Sequence, residues 1–102
     1  MAILITSANS AEAYQLKSKM GNDTVILGDY LELPEVMLKT GKMIRLPNPV
    51  SVSYMHEVLA LCLDKNIDSI YPLREEEARL LKESEQLFKE YNITIFYEYR
   101  FK

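Results

Sequence analysis

The chain of 102 residues contains one cysteine, one histidine and three glycines. A lone thiol, Cys62, excludes an internal disulfide and fits a reducing compartment, hence a cytoplasmic protein. A lone imidazole, His56, has no partner in the sequence for a Ser/His/Asp arrangement. His56 and Cys62 do not share a helical face, and no Cys/His/Asp cluster stands elsewhere, so no metal site is expected. None of the glycines falls between Ile3 and Leu16, where an α/β protein would carry a dinucleotide fingerprint. The N-terminus, MAILITS, has no basic flank and no long apolar run, so neither a signal peptide nor a membrane span is expected. Positive charge is also short. Twelve Lys and Arg face 15 Asp and Glu, for a net charge of −3. Phosphate backbones need a positive field, which argues against a nucleic-acid binder.

Hydrophobic residues make up 48% of the chain and charged residues 26%, ordinary values for one globular domain spanning residues 1–102. Strand and helix signals alternate along it. Ala2–Ser7 is a short apolar run that predicts a central strand. A helix is expected from about Ser10 to Met20, stopped by Gly21 and Asn22. TVIL, Thr24–Leu27, predicts a second buried strand ended by Gly28. Pro34 opens a short helix, and Gly41 sits just past its end. Met43–Leu46 predicts a short strand before Pro47 and Pro49. Met55, Val58, Leu59, Cys62 and Leu63 fall on one helical face, with Ser51 as the expected cap. Ile67–Tyr71 predicts a fourth strand. A long helix is expected from about Arg74 to Tyr91, its inner stripe being Leu80, Leu81, Ser84, Leu87, Phe88 and Tyr91. A fifth strand is expected over Ile93–Phe101. Strands separated by helices must be parallel with right-handed crossovers. The pattern therefore predicts an α/β fold, a three-layer doubly wound Rossmann-like domain with a five-stranded parallel sheet in order 3-2-1-4-5.

Four stretches resemble the N-terminal, pre-ATP-grasp domain of ATP-grasp enzymes such as carbamoyl phosphate synthase and biotin carboxylase. ILITSANSAEA is similar to the first strand and loop, VILGDY to a second strand ending in an acid, and NITIFY to the strand leading out of the domain. The longest match is KMIRLPNPVSVSYMHEVLALCLDKNIDSIYPLREEEARLL. There a short strand, a proline, a helix with a Tyr near its start, an IDxIxP strand and an acidic helix follow one another. The resemblance implies a pre-ATP-grasp-like domain. It does not imply ligase activity for this sequence, which ends at Lys102 without the ATP-grasp part. SANSAE is also similar to the GGxSAE loop of D-alanine–D-alanine ligases. That likeness implies substrate-holding roles for Ser10 and Glu12, with Ser7 and Ala8 replacing the two glycines.

Ligands of open parallel sheets bind beyond the carboxyl ends of the strands, near the switch in strand order. In order 3-2-1-4-5 the switch lies between strands one and four, so the connections Ser7–Ser10 and Pro72–Glu75 are the candidate walls. The candidate ligand-binding residues are Ser7, Asn9, Ser10, Glu12, Asp29 and Arg74. Asp29 falls near the place of a ribose-binding acid, and Arg74 could hold a carboxylate or phosphate bidentately. The competing structural reading makes Asn9 a helix cap with Glu12 completing a capping box, and Arg74 a solvated residue at a helix start. No cofactor is expected.

Between Tyr91 and Lys102 stand Tyr91, Phe96, Tyr97, Tyr99 and Phe101, and the alternation puts Tyr97, Tyr99 and Phe101 on one face of an edge strand. This predicts an interface there and a homodimer. Three functions are compatible with these features. The first is a non-catalytic domain that stands alone and works by self-association or partner binding. The second is the substrate-binding subunit of a split ligase, acting with a separately encoded ATP-grasp protein. The third is a small-ligand sensor that uses the crevice at the ends of strands one and four.

Overall fold

A computed structural model describes residues 2–20 and 24–96. The elements run β1 (Ala2–Ile5), α1 (Ala11–Lys19), β2 (Thr24–Asp29), α2 (Glu35–Lys39), β3 (Met43–Arg45), α3 (Tyr54–Asp64), β4 (Ile67–Tyr71), α4 (Glu75–Glu83), α5 (Glu85–Glu90) and β5 (Thr94–Ile95). All strand pairs are parallel, and the sheet order is β3-β2-β1-β4-β5. This is the doubly wound α/β fold expected from the alternation of strand and helix signals.

Two-residue periodicity divides the core into two layers. Ala2 and Leu4 of β1 and Ile70 of β4 pack under α3, α4 and α5, with Val58, Cys62, Leu81 and Phe88. Ile3 and Ile5 point the other way and meet Ala13 and Leu16 of α1, with Leu27, Leu33 and Met43 beside them. Cys62 is fully buried, as expected for a core thiol. Burial pushes its pKa up to about 12, so it is inert as a nucleophile.

Helix ends follow the local chemistry. Gly41 lies just after the α2 cap at φ +78, and Asn66 and Asn92 take the same left-handed turn after α3 and α5. The long helix expected over residues 74–91 is instead two helices. Ser84 closes α4 by an N–H bond to Leu81 O and opens α5 by accepting from Phe88 N–H. Serine competes poorly for helix interiors and well for their ends. Leu63, expected on the inner face of α3, is 48% exposed, and so is Tyr91. Ser53, not Ser51, occupies the α3 cap position. The expected interface residues Tyr97, Tyr99 and Phe101 lie outside the described residues. No helix among the described residues is long and apolar enough to cross a membrane.

Gly28 is required by close approach. It pairs with Ile44 of β3, and a Cβ there would stand 2.9 Å from Leu46 Cγ and 3.0 Å from Cδ2. Leu46 is itself buried, so it has little room to give. Gly28→Ala should therefore cost about 1–3 kcal/mol, as overpacking does. Thermal unfolding followed by circular dichroism checks this. An unchanged Tm would contradict the assigned packing.

Candidate functional site at the carboxyl ends of the central strands

β1 stops level with β4 at its carboxyl end and two residues short of β2. Ile5, its last residue, pairs with Leu27 and with Tyr71, while β2 continues to Asp29. The chain leaves β1 between its two neighbours. Thr6 N–H donates to Tyr71 O at 3.2 Å and Ala8 N–H to Gly28 O at 3.1 Å. Ser7 then turns the chain at φ 57, an uncommon conformation for a residue other than glycine. Ser10 ends the turn as the cap of α1. Its Oγ accepts from Ala13 N–H at 3.1 Å and its hydroxyl donates to Ser7 O at 2.8 Å. The capping box expected from Asn9 and Glu12 is thus corrected. The cap falls one residue later, and three residues on from it stands Ala13 rather than an acid. Asn9 is exposed and its amide approaches Glu32 O at 3.5 Å.

Because β1 stops early, groups from β2 and α4 meet across its end. Asp29, the last residue of β2, has no exposed surface. Arg74, just before α4, reaches over and binds it bidentately. Nη1 donates to Oδ1, and Nη2 donates to Oδ2 at 3.3 Å. Asp29 Oδ1 also accepts from Leu31 N–H at 3.2 Å. The guanidinium lies over the Tyr30 ring, 4.8 Å from its centroid, a cation–π contact that leaves the Arg74 side chain 24% exposed. Below it Leu73 N–H donates to Thr6 Oγ1 at 2.8 Å, tying the β4–α4 connection to the end of β1. Burial acts to lower the Arg74 pKa, but the hydrogen bonds and charge of Asp29 outweigh it and raise it.

Glu77, in the first turn of α4, completes the cluster and is fully buried. Neither of its carboxylate oxygens has a hydrogen-bond partner of acceptable geometry among the described residues. Burial disfavours its charge more than the nearby Thr6 hydroxyl and Arg74 favour it, and its pKa is pushed up to about 7. Tyr54, buried at the start of α3, is raised for the same reason, with Glu77 adding to the effect.

Of the six candidate residues, Asp29 and Arg74 are brought together and turned on each other, so Arg74 is neither free in solvent nor open-handed. Ser7 and Ser10 shape the turn above them. Asn9 is exposed on that turn, and Glu12 is exposed on α1, away from the pair. Sequence reasoning passes over Glu77, although a signal for it is present. Leu81 and Phe88 mark the inner stripe of the final helices, and one helical turn back from Leu81 stands Glu77. Of the three successive acids it alone falls on that stripe.

A doubly wound parallel sheet with a polar cluster at the switch point between β1 and β4, at the carboxyl edge of the sheet, defines a Rossmann-like domain. The chain matches the family described as the PylC-like, N-terminal domain over residues 3–96, nearly its whole length. It belongs to that family, a pre-ATP-grasp domain of the kind found in ATP-grasp-type ligases. Among curated proteins no match to the chain is found.

The elevated proton affinity of Glu77 makes stability depend on pH. Its folded pKa of about 7 stands above the ordinary 4.5 of a glutamate, so between these values the folded state holds a proton that the unfolded chain has released. Its contribution to stability is complete below about pH 4.5 and is lost as the pH rises through 7. The loss is about 3 kcal/mol at most, since each tenfold change in proton affinity is worth about 1.4 kcal/mol. Urea unfolding should show stability falling over this window in the wild type, and Glu77→Gln should remove most of that slope. An equal slope in the variant would show that Glu77 is not its source.

Proposed function

We propose that this domain works by binding rather than by making or breaking bonds, and that its partner is the ATP-grasp catalytic unit of a ligase, which it meets with the carboxyl edge of its sheet. Family membership supports the kind of partner. The single observation that supports the surface is the distribution of exposed apolar side chains. Leu31 follows β2, Val36 lies on α2, and Val50 and Val52 lie in the connection between β3 and α3. In a parallel sheet all these connections emerge at one end. Val50 is 78% exposed and Val52 entirely so. Several large apolar side chains exposed at one end of a domain mark an interaction surface.

Between Leu31 and Val36 the chain lines an open depression of 610 Å³, walled by Asn9, Glu32, Leu33, Glu35, Leu38 and Arg45. Its charged walls, Arg45 with Glu32 and Glu35, carry both signs and are suited to part of an acceptor substrate held between the domain and its partner. The chain supplies the wall, and the catalytic unit supplies the ATP chemistry.

The test is calorimetry. The chain alone should show no micromolar binding of Mg·ATP. Titrated with an ATP-grasp catalytic unit produced as a separate chain, it should bind, and the paired change Val50→Asp, Val52→Asp should weaken that binding at least tenfold, about 1.4 kcal/mol. The proposal fails if Mg·ATP binds tightly to the chain alone or if the paired change leaves association untouched.

A further inference from the structure

The cluster at the end of β1 is not balanced in charge. Two carboxylates without exposed surface, Asp29 and Glu77, face one guanidinium, that of Arg74. Asp29 takes both guanidinium hydrogen bonds and a backbone N–H as well. Glu77 is left with no hydrogen-bond partner of acceptable geometry among the described residues, the nearby Thr6 hydroxyl being its one polar neighbour besides charged groups and Tyr54. The groups that face it come from every element around it. They are Thr6 at the end of β1, Asp29 of β2, Tyr54 of α3, and Arg74 and Glu76 beside and on α4. Only Arg74 is a cation. A charged carboxylate in that position is compensated only in part, by the Thr6 hydroxyl and by a guanidinium already committed to Asp29, a costly state that proteins relieve by neutralisation or by moving a partner. Full burial leaves no room for a bulky ligand as the missing partner, whereas a proton needs none.

We infer that Asp29, Arg74 and Glu77 form a proton-operated latch at the crevice between β1 and β4. With a proton on Glu77, the guanidinium is committed to Asp29. The β4–α4 connection is then held down, with Leu73 N–H on Thr6 Oγ1. When the proton leaves, Glu77 competes with Asp29 for the same guanidinium. Arg74 cannot satisfy both in bidentate geometry, so the pair loosens and the connection Pro72–Arg74 with it. Because α4 begins at the next residue, the loosening reaches the wall of the crevice. The latch belongs to this chain alone and does not depend on the partner proposed above.

The test is a carbon-detected NMR titration of the full chain, following the Glu77 carboxyl carbon, the Arg74 guanidinium and the exchange protection of the Leu73 amide. Exchange rates are corrected for their intrinsic rise with pH. Glu77 should titrate near pH 7. The Arg74 signals should shift, and Leu73 should lose protection, with the same midpoint. In Glu77→Gln both should stay flat over this range. Titration of Glu77 in the ordinary carboxylate range overturns the inference. So does titration near pH 7 with Arg74 and Leu73 unmoved, a result the wild type alone can give if the variant does not fold.

Discussion

The bidentate pair between Arg74 and Asp29 is the interaction on which the carboxyl edge of the sheet depends. It joins the end of β2 to the connection between β4 and α4, across the place where β1 has already ended. Below that level the sheet is held by backbone ladders. Above it the chain must turn away in three directions, and side chains take over. Removing either partner would leave a charge out of water, so the pair acts as a constraint more than as a source of net stability. Its value lies in fixing the start of α4 relative to the end of β2, and hence the shape of the crevice.

The rest of the cluster follows from that constraint. Tyr30 stacks against the guanidinium because it is the next residue after Asp29. Thr6 is drawn under Leu73 because the exit from β1 runs between its neighbours. Glu77 is enclosed because α4 is pulled down at its first turn. That enclosure raises the affinity of Glu77 for a proton and makes one buried group sensitive to pH near neutrality.

Much of this is legible in the sequence. Alternating short apolar runs and helical stripes give the five strands, their parallel pairing and the order of the sheet, because right-handed crossovers leave few other arrangements. Gly41 can be placed after α2 because only a left-handed residue ends that turn cheaply. The boundaries are less legible. Asn9 and Ser10 are both good caps, and the choice between them depends on how the chain exits β1, which is a matter of register. Ser84 breaks the last helix where periodicity alone would continue it. At the site, Asp29 and Arg74 each stand out singly as groups for a ligand. That they satisfy each other follows only from knowing that β1 ends two residues before β2. Glu77 is hidden among three acids that suit a helix N-terminus, and its burial follows only when the inner stripe is traced back from Leu81.

A double-mutant cycle between Asp29 and Arg74 tests the central claim most directly. Stability would be measured by urea unfolding for the wild type, Asp29→Asn, Arg74→Met and the pair. If the two side chains hold the crevice together, each single change should cost about 3–5 kcal/mol, because it strands a buried charge or polar group. The double variant should cost far less than their sum, with a coupling of about 2–3 kcal/mol. Additive losses would mean that the two residues act separately, and the account of the site built on their contact would be wrong.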